Sequence, residues 1–155
     1  MLTPRVEGKA TMIDRNGLRG LRRFESTQDS GGTYRTAVSE LCLGRKVGHW
    51  MWYMFPQIAG LGVSATSQKY AISSLQEAQA YLAHPVLGPR LLDCARIVAA
   101  LDGPTATEIF GSVDAMKLRS SMTLFGRAAP DETVFQQVLE KYFDGLPDEA
   151  TLARL

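Results

Sequence analysis

Residues 74–111 read SLQEAQAYLAHPVLGPRLLDCARIVAALDGPTATEIFG, and the reading of this stretch decides the fold. Ser74-Leu75-Gln76-Glu77 is a capping-box pattern, in which hydroxyl and carboxylate each satisfy a free backbone N–H of a helix's first turn. Leu75, Ala78 and Leu82 follow at helical spacing. Pro85 disfavours the α conformation at the residue before it, so this helix ends at His84, where a cation is mildly favoured by the helix dipole. A second helix runs to about Leu101 with Leu87, Leu91, Cys94, Ala95, Val98 and Leu101 as its apolar stripe. Gly103-Pro104 breaks it. Thr105-Ala106-Thr107-Glu108 is another capping box, and its short helix stops at Gly111.

The same logic extends in both directions. Downstream, Ser112 can cap a segment through Phe125. Asp131 can cap a long helix carrying Val134, Phe135, Val138, Leu139, Tyr142 and Phe143. Gly145-Leu146-Pro147 closes that helix, and Asp148 caps a terminal turn to Leu155. Upstream, Leu21 to Gln28 reads as a short helix ended by Asp29-Ser30-Gly31-Gly32, and Thr33 caps another through Leu43. Residues 1–20 show no sustained period and read as a flexible N-terminal arm. No strand-like alternation persists anywhere. The expectation is an all-α fold: a compact, single-domain, multi-helix orthogonal bundle over residues 21–155.

Composition agrees with that size of core. A chain of 155 residues buries roughly 70% of its unfolded surface without needing disulfides or metals. Hydrophobic residues make up 45% and charged residues 21%, unlike a disordered chain. A net charge of +1 gives no general attraction to nucleic acid or to anionic membranes. Arg15, Arg19, Arg22 and Arg23 bias the start of the chain, but a neutral whole without a recognised module argues against nucleic acid as a partner. The longest apolar run, Trp50 to Phe55, is too short to cross a bilayer, and no signal-peptide core opens the chain, so no membrane partner and a cytoplasmic location are expected. Cys42 and Cys94 sit among aliphatic residues and read as buried free thiols.

Three stretches carry the candidate chemistry. Arg45 to Gln57 holds both tryptophans and His49. Its apolar run fits a buried strand or a short helix buried on all sides. Its rings are either core or the wall of a ligand pocket with polar tips. Gly60-Leu61-Gly62-Val63-Ser64-Ala65 fits the glycine spacing of a dinucleotide loop, but Pro56 interrupts the required strand and helices follow. The alternatives are a tight turn with Ser64 or Thr66 as a cap, or an anion site made by N–H groups at a helix start. In Lys117 to Thr123, Lys117, Ser120 and Ser121 lie near one another on one helix face. Lys117 either pairs with Asp114 three residues back or brings a point charge to a phosphate or carboxylate.

These residues, taken together, are similar to a known family. His49-Trp50-Met51-Trp52 running into Phe55-Pro56-Gln57, with Gly60-Leu61-Gly62 and Ser64, resembles the bacterial and fungal domain-of-unknown-function family 1810. Tyr81 to Leu91, Ile109-Phe110-Gly111-Ser112 with Asp114, and Lys117 to Phe125 match it in the same order. The likeness covers about Leu21 to Leu155. It implies a compact all-α fold with no established activity, and a short buried helix for His49 to Phe55. The name calpastatin, sometimes attached to members, is physically unsuited: such an inhibitor is a long flexible chain, whereas this sequence encodes a packed core. Glu25-Ser26-Thr27-Gln28 departs from the family pattern, replacing a more apolar turn before the glutamine.

Two functions then compete. In the first, the chain binds a small anionic or nucleotide-like molecule. His49, Trp50 and Trp52 supply a wall and a polar edge, Gly60, Gly62 and Ser64 backbone donors, and Lys117, Arg119 and Ser121 positive charge and hydroxyls, with Gln57 a further ligand-binding candidate. If the site is catalytic, His49 is its one neutral-pH base. In the second, the same residues are core and caps of a protein-interaction domain with no small ligand. Two distant histidines and no acidic motif of ligand spacing point to no metal site, and no cofactor is expected. The first function requires that the tryptophan segment, the glycine turn and the Lys117 helix meet around one hollow.

Overall fold

The computed structural model describes residues 20–155, and they form an all-α domain. In chain order the helices are α1 (Gly20–Asp29), α2 (Thr33–Cys42), α3 (Met51–Met54), α4 (Ala65–Lys69) and α5 (Leu75–Ala83). They continue with α6 (Leu87–Ala100), α7 (Ala106–Phe110), α8 (Ser112–Ala128), α9 (Val134–Phe143) and α10 (Glu149–Leu152). A 3-10 turn at Ser30–Gly32 joins α1 to α2. Among the described residues the one β contact is an isolated parallel bridge between Ile58 and Ile72. The N-terminal arm read over residues 1–20 lies outside the described residues except for Gly20, which opens α1.

Helix α8 is the axis of the domain, packed by α5, α7, α9 and α10. Its Ala115, Leu118, Met122, Leu124 and Phe125 are buried, and so are Ser120, Ser121 and Thr123, so its buried surface, though not all apolar, wraps most of its circumference. Rings link the neighbouring helices through it. Tyr81 of α5 packs on Phe125 at 5.3 Å between centroids, Phe125 on Phe135 of α9 at 6.0 Å, and Phe24 of α1 on Tyr81 at 5.2 Å. Each such buried side chain stabilises the fold by about 1.5–3 kcal/mol before entropy is counted. The α6 stripe is buried as its spacing requires, with Leu101 half-buried at its end.

The caps are more varied than the sequence suggests. Thr105 and Glu108 make the full reciprocal box. Ser74 accepts from Glu77 N at 3.1 Å, but the Glu77 carboxylate reaches one residue further back, to Ser73 N at 2.7 Å. Thr33 is not a cap: Gly32, at φ +72°, takes that position, and the Thr33 hydroxyl donates to Ser30 O. Neither Asp131 nor Ser112 caps its helix, since α9 begins behind Thr133 and α8 behind Gly111. His84 does more than end α5. Its Nδ1 accepts from Val86 N and Leu87 N across Pro85, capping α6, while Nε2 faces Glu25 Oε1 at 3.4 Å. Cys42 is exposed, contrary to expectation. Cys94 is buried, and burial pushes its thiol up to about 12.

Candidate functional site

The segment between α2 and α3 is organised by one carboxylate. Glu40 Oε1 accepts from Val47 N at 2.8 Å, Gly48 N at 3.0 Å and Trp50 Nε1 at 2.8 Å. Burial raises its pKa, yet these three donors and the nearby Lys46 charge outweigh that and hold it below the ordinary carboxylate range. Trp50 is the N-cap of α3 and Trp52 lies two residues on, inside its single turn, so the two rings face different ways. Trp50 is 2% exposed and belongs to the core, whereas Trp52 is half-buried at the surface.

Trp52 is where the three stretches meet. Lys117 Nζ stands 4.0 Å from its ring centroid, a cation–π distance. A Cβ placed on Gly62 would lie 3.7 Å from the tip of the same ring. Trp52 also walls a hollow of ≈ 110 Å³ with Gln57, Gly60 and Gly62. Ser67, Gln68 and Tyr70 complete its polar lining. Both glycines have a physical reason to be there. Gly60 adopts φ +98°, which strains any side chain, and a Cβ at Gly62 would meet Ser67 at 2.7 Å.

Charge surrounds this hollow rather than lining it. Asp114 is shared by two ammonium groups, Lys46 on Oδ2 at 2.8 Å and Lys117 on Oδ1 at 3.0 Å. Burial pushes Asp114 up, but hydrogen bonds and charge from both lysines win, and it stays below the usual range. With Glu40 beside Lys46, two carboxylates balance the two ammonium groups, and Lys117 is the one of them that stands against Trp52. On another side, Arg154 donates from Nη2 to Gly60 O at 3.2 Å, bringing a guanidinium against the glycine turn.

The remaining sequence-predicted residues go elsewhere. His49 is exposed and does not line the hollow. Ser64 caps α4 by accepting from Ser67 N, and Ser67 faces the hollow in its place. Arg119 donates to Leu146 O and Pro147 O, both at 3.0 Å, and so fixes the C-terminal hook to α8. Ser121 is fully buried, and its hydroxyl has no hydrogen-bond partner among the described residues. Arg23, part of the basic bias at the chain start, is tied to Lys69 O and Ala71 O.

Glu40, Lys46, Ser67, Tyr70 and Arg154 were not legible as site components. Lys46 adjoins the aromatic run, and Ser67 and Tyr70 follow closely on the glycine turn, whereas Glu40 and Arg154 arrive from distant elements. Among the described residues there is no cluster of three metal-ligating side chains and no helix long and apolar enough to cross a membrane.

The molecule is thus an all-α domain carrying a cation-flanked aromatic hollow at its surface. It belongs to the family described as a protein of unknown function, DUF1810, whose profile matches residues 18–155. A crystal structure of a conserved hypothetical protein from Mycobacterium tuberculosis is similar to it, with a TM-score of 0.84 and 50% identity. That match covers 87% of this chain and 95% of the other. No curated protein matches the chain.

Proposed function

We propose that this domain binds a small anionic molecule of nucleotide-like or sugar-phosphate chemistry, holding one end of it at Trp52. The observation that carries the reading is the stacking of Lys117 over Trp52 while the same ring walls the hollow with Gly60 and Gly62. The hollow is lined by neutral groups, so it suits an uncharged polar end such as a sugar or an amide edge. The anionic end lies outside, against Lys117 and the Arg154 side of the turn.

Volume sharpens the chemistry. Ligand pockets commonly enclose about 300–1,000 Å³, well above the ≈ 110 Å³ found here. A whole nucleotide does not fit inside, so the ligand enters by one end and keeps the rest on the surface. The reading is one of binding and assigns no reaction, since His49 stands outside the hollow.

Calorimetric titration with ribose 5-phosphate, orthophosphate and ribose tests it. The sugar phosphate should bind, ribose should bind far more weakly, and Lys117→Ala should cost about tenfold in affinity, or about 1.4 kcal/mol. Absence of binding by every phosphate, or binding untouched by both Lys117→Ala and Trp52→Ala, overturns it.

One observation favours a second reading, a protein-interaction face. Val47, Val63, Val113 and Met116 are each at least 65% exposed, and Val113, Met116 and Lys117 share one side of α8. A partner whose affinity falls on Val113→Asp and Met116→Asp, with no phosphate binding, would select this reading.

A further inference from the structure

A roomier cavity than the Trp52 hollow lies away from it, in a groove of ≈ 620 Å³ between α8, α9 and the C-terminal hook. Its size falls within the range of pockets that enclose small ligands. Its apolar surface comes from Met122, Leu139, Pro147 and Leu152. Met122 and Leu139 are at most 3% exposed, so the groove is floored by rigid core rather than by loops. One wall is the solvent side of α9, where Thr133, Gln136, Gln137 and Glu140 recur at helical spacing over about 10 Å.

The charged groups on the rim are of both signs and are not neutralised by one another. Arg127, in the last turn of α8, makes no ion pair or side-chain hydrogen bond among the described residues. The carboxylates of Glu132 and Glu140 are likewise without such partners there. By contrast, Asp114 is held by two lysines and Arg119 by two carbonyls. A separated cation and two carboxylates around an apolar floor complement a molecule with the opposite arrangement.

We propose that this groove is a second binding site, taking a zwitterion with an apolar body, of the size of a hydrophobic dipeptide. Its carboxylate is received by Arg127, its ammonium by Glu132 or Glu140, and its aliphatic side chains by Met122, Leu139 and Leu152. This goes beyond the Trp52 reading and is independent of it, since the two cavities share no lining residue.

The probe is leucyl-leucine with free termini, compared with its N-acetylated and its C-amidated forms, titrated against the full chain and followed by chemical-shift changes. Signals of Met122 and Leu139 should move, and blocking either terminus should weaken binding about tenfold. Arg127→Gln should abolish the preference for the free carboxylate, and Glu140→Gln with Glu132→Gln the preference for the free amine. These positions are on the rim, and their replacement leaves the fold intact. If Arg127 serves only the end of α8, Arg127→Gln lowers the melting temperature and leaves the selectivity between free and blocked termini unchanged, which overturns the proposal. So does a dipeptide that moves no groove signal, or free and blocked forms that bind alike.

Discussion

The Trp52 hollow and the α8–α9 groove are built from opposite materials. The hollow is made of loop backbone, two glycines and an aromatic ring, with its order imposed by hydrogen bonds and charge. The groove is made where helices cross, from side chains already fixed by the core. The first is small and electrically distinctive; the second is roomy and electrically open. Pocket size and perturbed ionisation are both used to find sites, and in this molecule they point to different places. What joins the two is the C-terminal hook: Pro147 and Leu152 wall the groove, while Arg154 reaches the glycine turn of the hollow.

Removing one wall from each side should separate packing from polar construction. Leu139→Ala should cost about 2–5 kcal/mol, because a 3% exposed side chain leaves a void that the helices around it fill only in part. Trp52→Ala removes a larger side chain but a half-buried one, and should cost less than about 2 kcal/mol, including its contact with Lys117. Chemical denaturation of both variants measures the difference. Equal losses would mean that Trp52 is as much a part of the core as Leu139, and the contrast would collapse.

A smaller effect tests the backbone of the hollow itself. Gly62→Ala sets a methyl 2.7 Å from Ser67 Cβ and Oγ, which cannot be accommodated without moving α4 or the turn. The expected cost is about 1–3 kcal/mol, typical of overpacking. For a domain of this size that lowers the melting temperature by roughly 2–4 °C for each kcal/mol. The same methyl narrows the hollow, so sugar-phosphate binding should weaken beyond what the stability loss explains. A stable variant with unchanged binding would show that the glycine serves the turn alone.

How much of this could be read from residues alone follows the range of the interactions. The Thr105 box and the α6 stripe are local and appear directly in the spacing. Thr33 and Asp131 looked like caps because neighbours compete for that role, and Gly32 and Thr133 took it through turn geometry that no local pattern encodes. The aromatic run stands out by composition, and Lys117 and the glycine turn adjoin its Trp52. That Trp50 faces inward and Trp52 outward depends on where Glu40, ten positions earlier, places its carboxylate. The groove left no signature, since Gln136, Thr133 and Met122 become a cavity only when α8 and α9 cross.

The smallest effect concerns the charge beside Trp52 and has a definite sign. Asp114 has a depressed pKa in the folded state, because its two lysines overcome the effect of burial. It therefore adds stability that is complete above the ordinary unfolded value, near pH 4, and is lost as pH falls through the lower folded value. Asp114→Asn lacks this contribution at every pH. Wild type should exceed the variant at pH 7 by a modest margin, within about 1 kcal/mol, since the pair is part-exposed and solvent screens it. The margin should shrink steadily below about pH 4 as Asp114 gains its proton. Denaturant melts of both proteins at pH 7, 5 and 3 measure it. A margin that persists undiminished at pH 3 would mean that Asp114 acts through shape rather than charge, and Lys117 would then owe its place over Trp52 to the ring alone.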